Sequence, residues 1–245
     1  MDFPEEIKDK LIFALDVPDC KEAVKYVRLL KEVVGCFKVG LELFVKEGPQ
    51  VLQAISDNST AGIFLDLKLH DIPVTVQGAL QSASDHGAKF ITVHCGEGEE
   101  ILETAGEFGE SGLQVLAVTV LTSFREHELP RLGFGEGKTL KQLVVDRAWA
   151  AKLSGCAGAV CSGEEAADVK NHCGPEFKVV VPGIRPSWSV VKNDDQIRIV
   201  TPAEAVARGA DHLVVGRPIR TASDPKNAAK KILDEIADAV STQTE

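Results

Sequence analysis

Eight short runs rich in β-branched and aliphatic residues recur along the chain, at 11–16, 36–40, 62–68, 89–94, 114–121, 156–161, 177–181 and 211–216, with helical periodicity between them. Strands that alternate with helices point to a parallel sheet, since a parallel pair needs a crossover about as long as a helix. Eight βα units are the count of a closed (β/α)8 TIM barrel, and 245 residues match the roughly 250 that such a barrel uses. No linker, low-complexity segment or longer repeat interrupts the rhythm, so residues 1–245 read as a single α/β barrel domain. An open doubly wound sheet is the competing architecture. It would place a glycine-rich turn after the first strand, where the chain instead has Asp16-Val17-Pro18.

Helix signals support the same frame. Asp71-Ile72-Pro73 reads as a cap followed by proline in the first turn, and Val76, Ala79, Leu80 and Ala83 then form an apolar stripe that ends before Gly87. That helix is expected to cover the third strand. Asp224-Pro225 opens a last helix, with Ala229, Ile232, Leu233 and Ile236 at three- and four-residue spacing, which should close the outer ring.

Composition narrows the function. With 37 acidic and 27 basic residues the net charge is −10, and aromatics make up 5%. Such a surface has neither the basic stripe nor the stacking platform of a nucleic-acid binder. No apolar run approaches the roughly 20 residues that cross a bilayer. The acidic start Met1-Asp2-Phe3-Pro4-Glu5-Glu6 is unlike a signal peptide, so no membrane association and a cytoplasmic location are expected. Cys20, Cys36, Cys95, Cys156, Cys161 and Cys173 are scattered without a Cys-x-x-Cys pair and read as reduced, mostly buried thiols. The six histidines show no metal-ligand spacing, and only His94, at the end of the fourth strand, reaches the barrel mouth.

Charges at the strand ends carry the chemistry. In Ile63-Phe64-Leu65-Asp66-Leu67-Lys68-Leu69 the odd positions are aliphatic, so a two-residue period puts Asp66 and Lys68 together on the opposite face. In a barrel the apolar face meets the helices, and these two charges point inward. Asp16 shares parity with Ile12 and Ala14, and Lys38 sits between helix-facing Phe37 and Val39. Three successive strands therefore deliver Asp16, Lys38, Asp66 and Lys68 to the C-terminal rim, where barrel active sites lie. Alternating signs point to a hydrogen-bonded, paired network that serves chemistry, with a purely structural ion cluster as the lesser alternative. Asp71 reads as the helix cap, and a residue at a helix start beside the rim can face a ligand as well.

The other half of the rim has the character of a phosphate site. The seventh strand breaks into Pro182-Gly183-Ile184-Arg185 and the eighth into Gly216-Arg217-Pro218. Glycines admit an anion to backbone N–H groups, arginine forks onto two phosphate oxygens, and barrels commonly hold phosphate after strands seven and eight. The polar stretch from Ser187 to Gln196 is long for a βα loop and reads as a lid.

Asp66-Leu67-Lys68-Leu69-His70-Asp71-Ile72-Pro73, together with Ala14-Leu15-Asp16, Lys38-Val39-Gly40, Leu121-Thr122-Ser123, Pro182-Gly183-Ile184-Arg185-Pro186 and Gly216-Arg217-Pro218, resembles the bacterial orotidine 5′-phosphate decarboxylase family over essentially the whole chain. Leu69 stands where that family usually has phenylalanine and Val181 where it has threonine. The resemblance implies a lyase that converts orotidine 5′-monophosphate to UMP and carbon dioxide in pyrimidine biosynthesis, without metal or other cofactor. It implies Lys68 as proton donor, in a catalytic network with Lys38, Asp66 and an Asp71 contributed by the other subunit of a homodimer. Asp16 and Lys38 would hold the ribose, Thr122 the pyrimidine, and Arg185, Gln196, Gly216 and Arg217 the phosphate, with Ile72 and Thr75 completing the substrate-binding set. Two alternatives remain at this level. One is a related metal-dependent sugar-phosphate decarboxylase, aldolase or epimerase, although Lys38 stands where a metal site would want a carboxylate. The other is a non-catalytic nucleotide-binding barrel.

Overall fold

The computed structural model describes residues 3–96, 98–134, 137–189 and 198–244. Its centre is a closed parallel barrel in strand order β1 to β8, formed by Leu11–Ala14, Cys36–Gly40, Gly62–Leu69, Phe90–His94, Gln114–Val118, Gly158–Val160, Lys178–Val181 and His212–Val215. Every strand expected from the sequence is present. β1 and β5 stop short of their apolar runs, at Ala14 and Val118, so Asp16 and residues 119–121 belong to the rim rather than to the wall.

Residue parity separates two apolar layers. Outside the barrel, Phe37, Val39, Ile63 and Leu65 pack with Val76, Leu80 and Ala83 of the helix Pro73–Asp85, which covers β3 as the stripe predicts. Ala229, Ile232, Leu233 and Ile236 of the helix Pro225–Thr244 are fully buried in the same layer. Inside, Ile12, Ala14, Cys36, Phe64, Phe90, Leu116, Val180 and Val214 fill the lumen. The Phe64 and Phe90 rings meet edge to face at 6.0 Å and plug the floor. Burying such side chains is worth about 1.5–3 kcal/mol each and makes the barrel a packed core rather than a pore. Five cysteines are buried, Cys20 is partly so, and all six are free thiols.

One cap differs from expectation. Ile72, not Asp71, is the N-cap of the helix Pro73–Asp85, and no side chain caps it. A residue before proline is driven to extended geometry, which moves the boundary forward by one. The Asp71 carboxylate accepts the Ile72 N–H at 2.7 Å instead.

His212 closes the bottom of the lumen, its ring 5.1 Å from that of Phe90 and its Nδ1–H donating to the Asp9 carbonyl at 2.8 Å. Burial holds its imidazole below the usual range, against the raising effect of that hydrogen bond. The unfolded chain binds this proton near pH 6.5, so the stabilisation is complete above that pH and is lost as pH falls through the lower native value. The thermal midpoint should therefore drop between pH 7.5 and 5, and His212→Gln should flatten that slope. An unchanged slope in the variant would assign the acid sensitivity elsewhere.

Candidate active site

Inward-facing positions change character from floor to mouth. On β2, Cys36 is followed two residues later by Lys38; on β3, Phe64 by Asp66; on β4, Phe90 by Thr92. Beyond β1, the line of Ile12 and Ala14 ends at Asp16. One pleat above an apolar plug, the lumen thus becomes charged.

Asp66 is the hub. Its carboxylate accepts from Lys68 Nζ at 2.8 Å and from the Thr92 hydroxyl at 3.0 Å, and Lys38 Nζ lies 3.6 Å from its other oxygen. Lys38 also reaches Asp16 at 3.2 Å. The Asp66 side chain is 14% exposed and that of Lys38 11%, whereas Asp16 is half exposed. Burial alone would push the Asp66 carboxyl up; the adjacent Lys38 and Lys68 ammoniums and the hydrogen bonds from Lys68 and Thr92 outweigh it and hold the carboxyl below the usual range.

β3 departs from regular alternation at this point. Leu65 pairs with Ile91 and Leu69 with Val93, so four residues of β3 span two of β4. Within this bulge Lys68 has φ = 53°, the only positive value at a non-glycine position among the described residues. Such a conformation costs about 1–3 kcal/mol and persists only where surroundings over-determine it. Here the Lys68 N–H donates to Thr92 Oγ1 at 2.8 Å while its Nζ holds Asp66. The bulge re-aims the ammonium, as bulges beside active sites commonly do.

A cavity of about 400 Å³ opens over this network. Asp16, Lys38, Asp66 and Lys68 line one part of it, and Thr122, Arg185, Gly216 and Arg217 come in from the ends of β5, β7 and β8. A short helix, Arg217–Arg220, starts directly after β8. Cations and anions that are distant in sequence thus face one chamber, with fixed ammonium and guanidinium groups at two separate points.

Not every expected site residue faces it. Asp71, Ile72 and Thr75 are exposed at the rim and do not line this chain's cavity. His94 does not line it either: half-buried, it stands 5.6 Å from the His70 ring beside a smaller cavity of about 270 Å³. Burial, with His70 and Lys68 nearby, holds its imidazole below the usual range. Gln196 and most of the expected lid, residues 190–196, lie outside the described residues. At the start of that stretch, Trp188 Nε1 donates to Glu235 at 2.7 Å, with Lys231 Nζ 5.4 Å from its ring. Sequence reasoning missed Thr92, although its parity with Phe90 marks it as a buried hydroxyl inside the lumen. It also missed a buried ion pair between Arg198 and Glu165 behind the β5 and β7 exits, since nothing in the sequence links those positions.

The family model for orotidine 5′-phosphate decarboxylase / HUMPS proteins matches residues 9–232. An orotidine 5′-phosphate decarboxylase of Desulfosudis oleivorans is 47% identical over 236 residues, covering 95% of each chain. The corresponding protein of Trichlorobacter lovleyi is 44% identical over 242 residues, covering 96% of this chain and 98% of its own. Among solved structures, orotidine 5′-phosphate decarboxylase from Lactobacillus acidophilus superposes with a TM-score of 0.79 at 33% identity, covering 93% of this chain and 99% of that one. Identity, coverage and the closed barrel agree: the chain belongs to the orotidine 5′-phosphate decarboxylase / HUMPS family.

Proposed function

We propose that this protein is a cytoplasmic enzyme that decarboxylates orotidine 5′-monophosphate to UMP, the last step of pyrimidine nucleotide synthesis, and that Lys68 delivers the proton to C6. The observation that carries this assignment is the pairing of Lys68 with a mostly buried Asp66, 14% exposed, that is itself paired with Lys38, in one chamber with Arg185 and Arg217.

Breaking the bond from C6 to the carboxylate leaves the electron pair on C6, a carbon with no adjacent electron sink. An ammonium fixed at that point stabilises the developing charge and then gives its proton to C6, after which neutral Lys68 regains one from solvent. Asp66, 2.8 Å from Lys68 Nζ, keeps that ammonium aimed. Lys38, already paired with Asp16 and Asp66, supplies positive charge where a metal-dependent relative would need an anionic ligand. Lys38 and Asp16 hold the ribose, Thr122 the base, and Arg185, Gln196, Gly216 and Arg217 the phosphate, whose binding energy orients the distant reacting carbon.

Asp71, Ile72 and Thr75 act in the neighbouring site of a homodimer. Their exposure supports this, as does that of large apolar side chains on the same and the preceding βα unit: Ile72 and Val74 are 62% and 69% exposed, and Leu41 and Val45 52% and 80%. Apolar groups clustered on consecutive units mark a protein interface. A twofold axis through it makes the exchange of Asp71 reciprocal.

Lys68→Ala should fold and bind UMP but lose about 10²- to 10⁴-fold in kcat, the range for a positioned proton donor. Retention of about a tenth of the wild-type turnover would remove Lys68 from that role. Lys68→Ala and Asp71→Ala proteins, each nearly inactive alone, should recover roughly a quarter of wild-type activity once dissociated, mixed and reassociated, because half the dimers are then mixed and half their sites intact. No recovery despite demonstrated subunit exchange would mean that Asp71 serves its own chain.

A further inference from the structure

Arg198 and Glu165 form an ion pair set back from the cavity, with only 7% and 4% of their surfaces exposed. Arg198 Nη1 donates to Glu165, which belongs to the loop after β6, and Nη2 donates at 3.4 Å to the carbonyl of Leu121, in the loop after β5. Two residues on, Val200 accepts the Arg185 N–H at 2.8 Å and gives its own N–H to the Gly183 carbonyl at 3.4 Å. Arg198 is thereby tied to the exits of three successive strands. Leu121, Thr122 and Ser123 from the first of these loops, and Gly183 and Arg185 from the third, line the cavity. The middle loop is pressed against the same segment: a Cβ on Gly163 would fall 2.4 Å from a Val200 methyl carbon.

Stability does not account for such a pair. Buried ion pairs are often no better than well-packed apolar residues, because desolvation offsets their attraction. Here Glu165 Oε2 and Arg198 Nε are buried without a hydrogen-bond partner among the described residues, and burial keeps the Glu165 carboxyl above its usual range despite Arg198. What the pair supplies is geometry. A planar guanidinium held by a carboxylate on one loop and a carbonyl on another fixes their separation more tightly than apolar contact does.

We infer that Glu165 and Arg198 are positioning residues for the decarboxylation, a buried clamp that fixes the loop 121–123 against the loop 183–185. Phosphate held at Arg185 then stays in register with the ring held at Thr122, so the clamp makes phosphate binding energy available at the reacting carbon. This inference rests on the function proposed above.

The test compares orotidine 5′-monophosphate with phosphate-free orotidine, using Glu165→Leu/Arg198→Met and Arg198→Lys proteins. Removing both charges leaves no unpaired ion, so the double variant should melt no lower than wild type. Its kcat/KM for the nucleotide should nevertheless fall about ten- to a hundredfold, with kcat reduced as well as KM raised, a loss typical of broken coupling between sites. Its kcat/KM for orotidine should stay within about twofold of wild type. Arg198→Lys keeps a charge opposite Glu165 but has no second arm for Leu121, and should show a smaller loss confined to the same substrate. Wild-type values on the nucleotide in either folded variant, or equal losses on both substrates, would overturn the clamp. Failure of the wild-type protein to consume orotidine 5′-monophosphate would overturn the function itself, a separate outcome.

Discussion

A carboxylate held between two ammonium groups inside a barrel is the interaction on which the rest of this site depends. Asp66 lies 2.8 Å from Lys68 Nζ and 3.6 Å from Lys38 Nζ. Taking an unpaired charge out of water costs several kcal/mol even after relaxation, so each member of this trio is tenable only because the others are in place. Two adjacent strands must hold their register to within a pleat for that to happen, and Lys38 pairs with Phe64 and Gly40 with Asp66 along β2 and β3. The phenylalanine plug below and the charged layer above are successive levels of the same inward parity, so packing of the floor fixes the height at which the charges sit.

Strain and charge act together at Lys68. Its left-handed backbone would be unfavourable in a regular strand. Thr92 holds it from both sides, accepting the Lys68 N–H and donating to Asp66. The proposed proton donor is therefore fixed at its backbone as well as at its ammonium, which leaves little reorganisation for the chemical step. The opposite half of the rim, with Arg185 and Arg217, is built by unrelated strands, and the two halves meet only because the sheet closes.

Much of this was legible in the sequence because period two and period 3.6 are enforced by burial. The eight strands, the inward aim of Asp16, Lys38, Asp66 and Lys68, and the Gly/Arg exits of β7 and β8 all follow from parity and turn chemistry. What the sequence hid depends on contacts between distant segments. The bulge at Lys68 breaks a two-residue period that the aliphatic positions Ile63, Leu65, Leu67 and Leu69 carry without interruption, because register against β4 is a property of the pair. The Asp71 cap moved by one residue through the proline after it. The Arg198–Glu165 pair joins positions 33 residues apart that carry no periodic signal.

In the proposed reaction the charge trio presents Lys68 to the carbon that loses carbon dioxide. A high-resolution crystal structure of the protein with UMP tests it most directly. Lys68 Nζ should lie at about 2.6–3.2 Å from C6, within proton-transfer reach, with the phosphate on Arg185 and Arg217. UMP bound with C6 turned away from Lys68, or with its phosphate at the charge trio and its base at the β7 and β8 exits, would contradict the account.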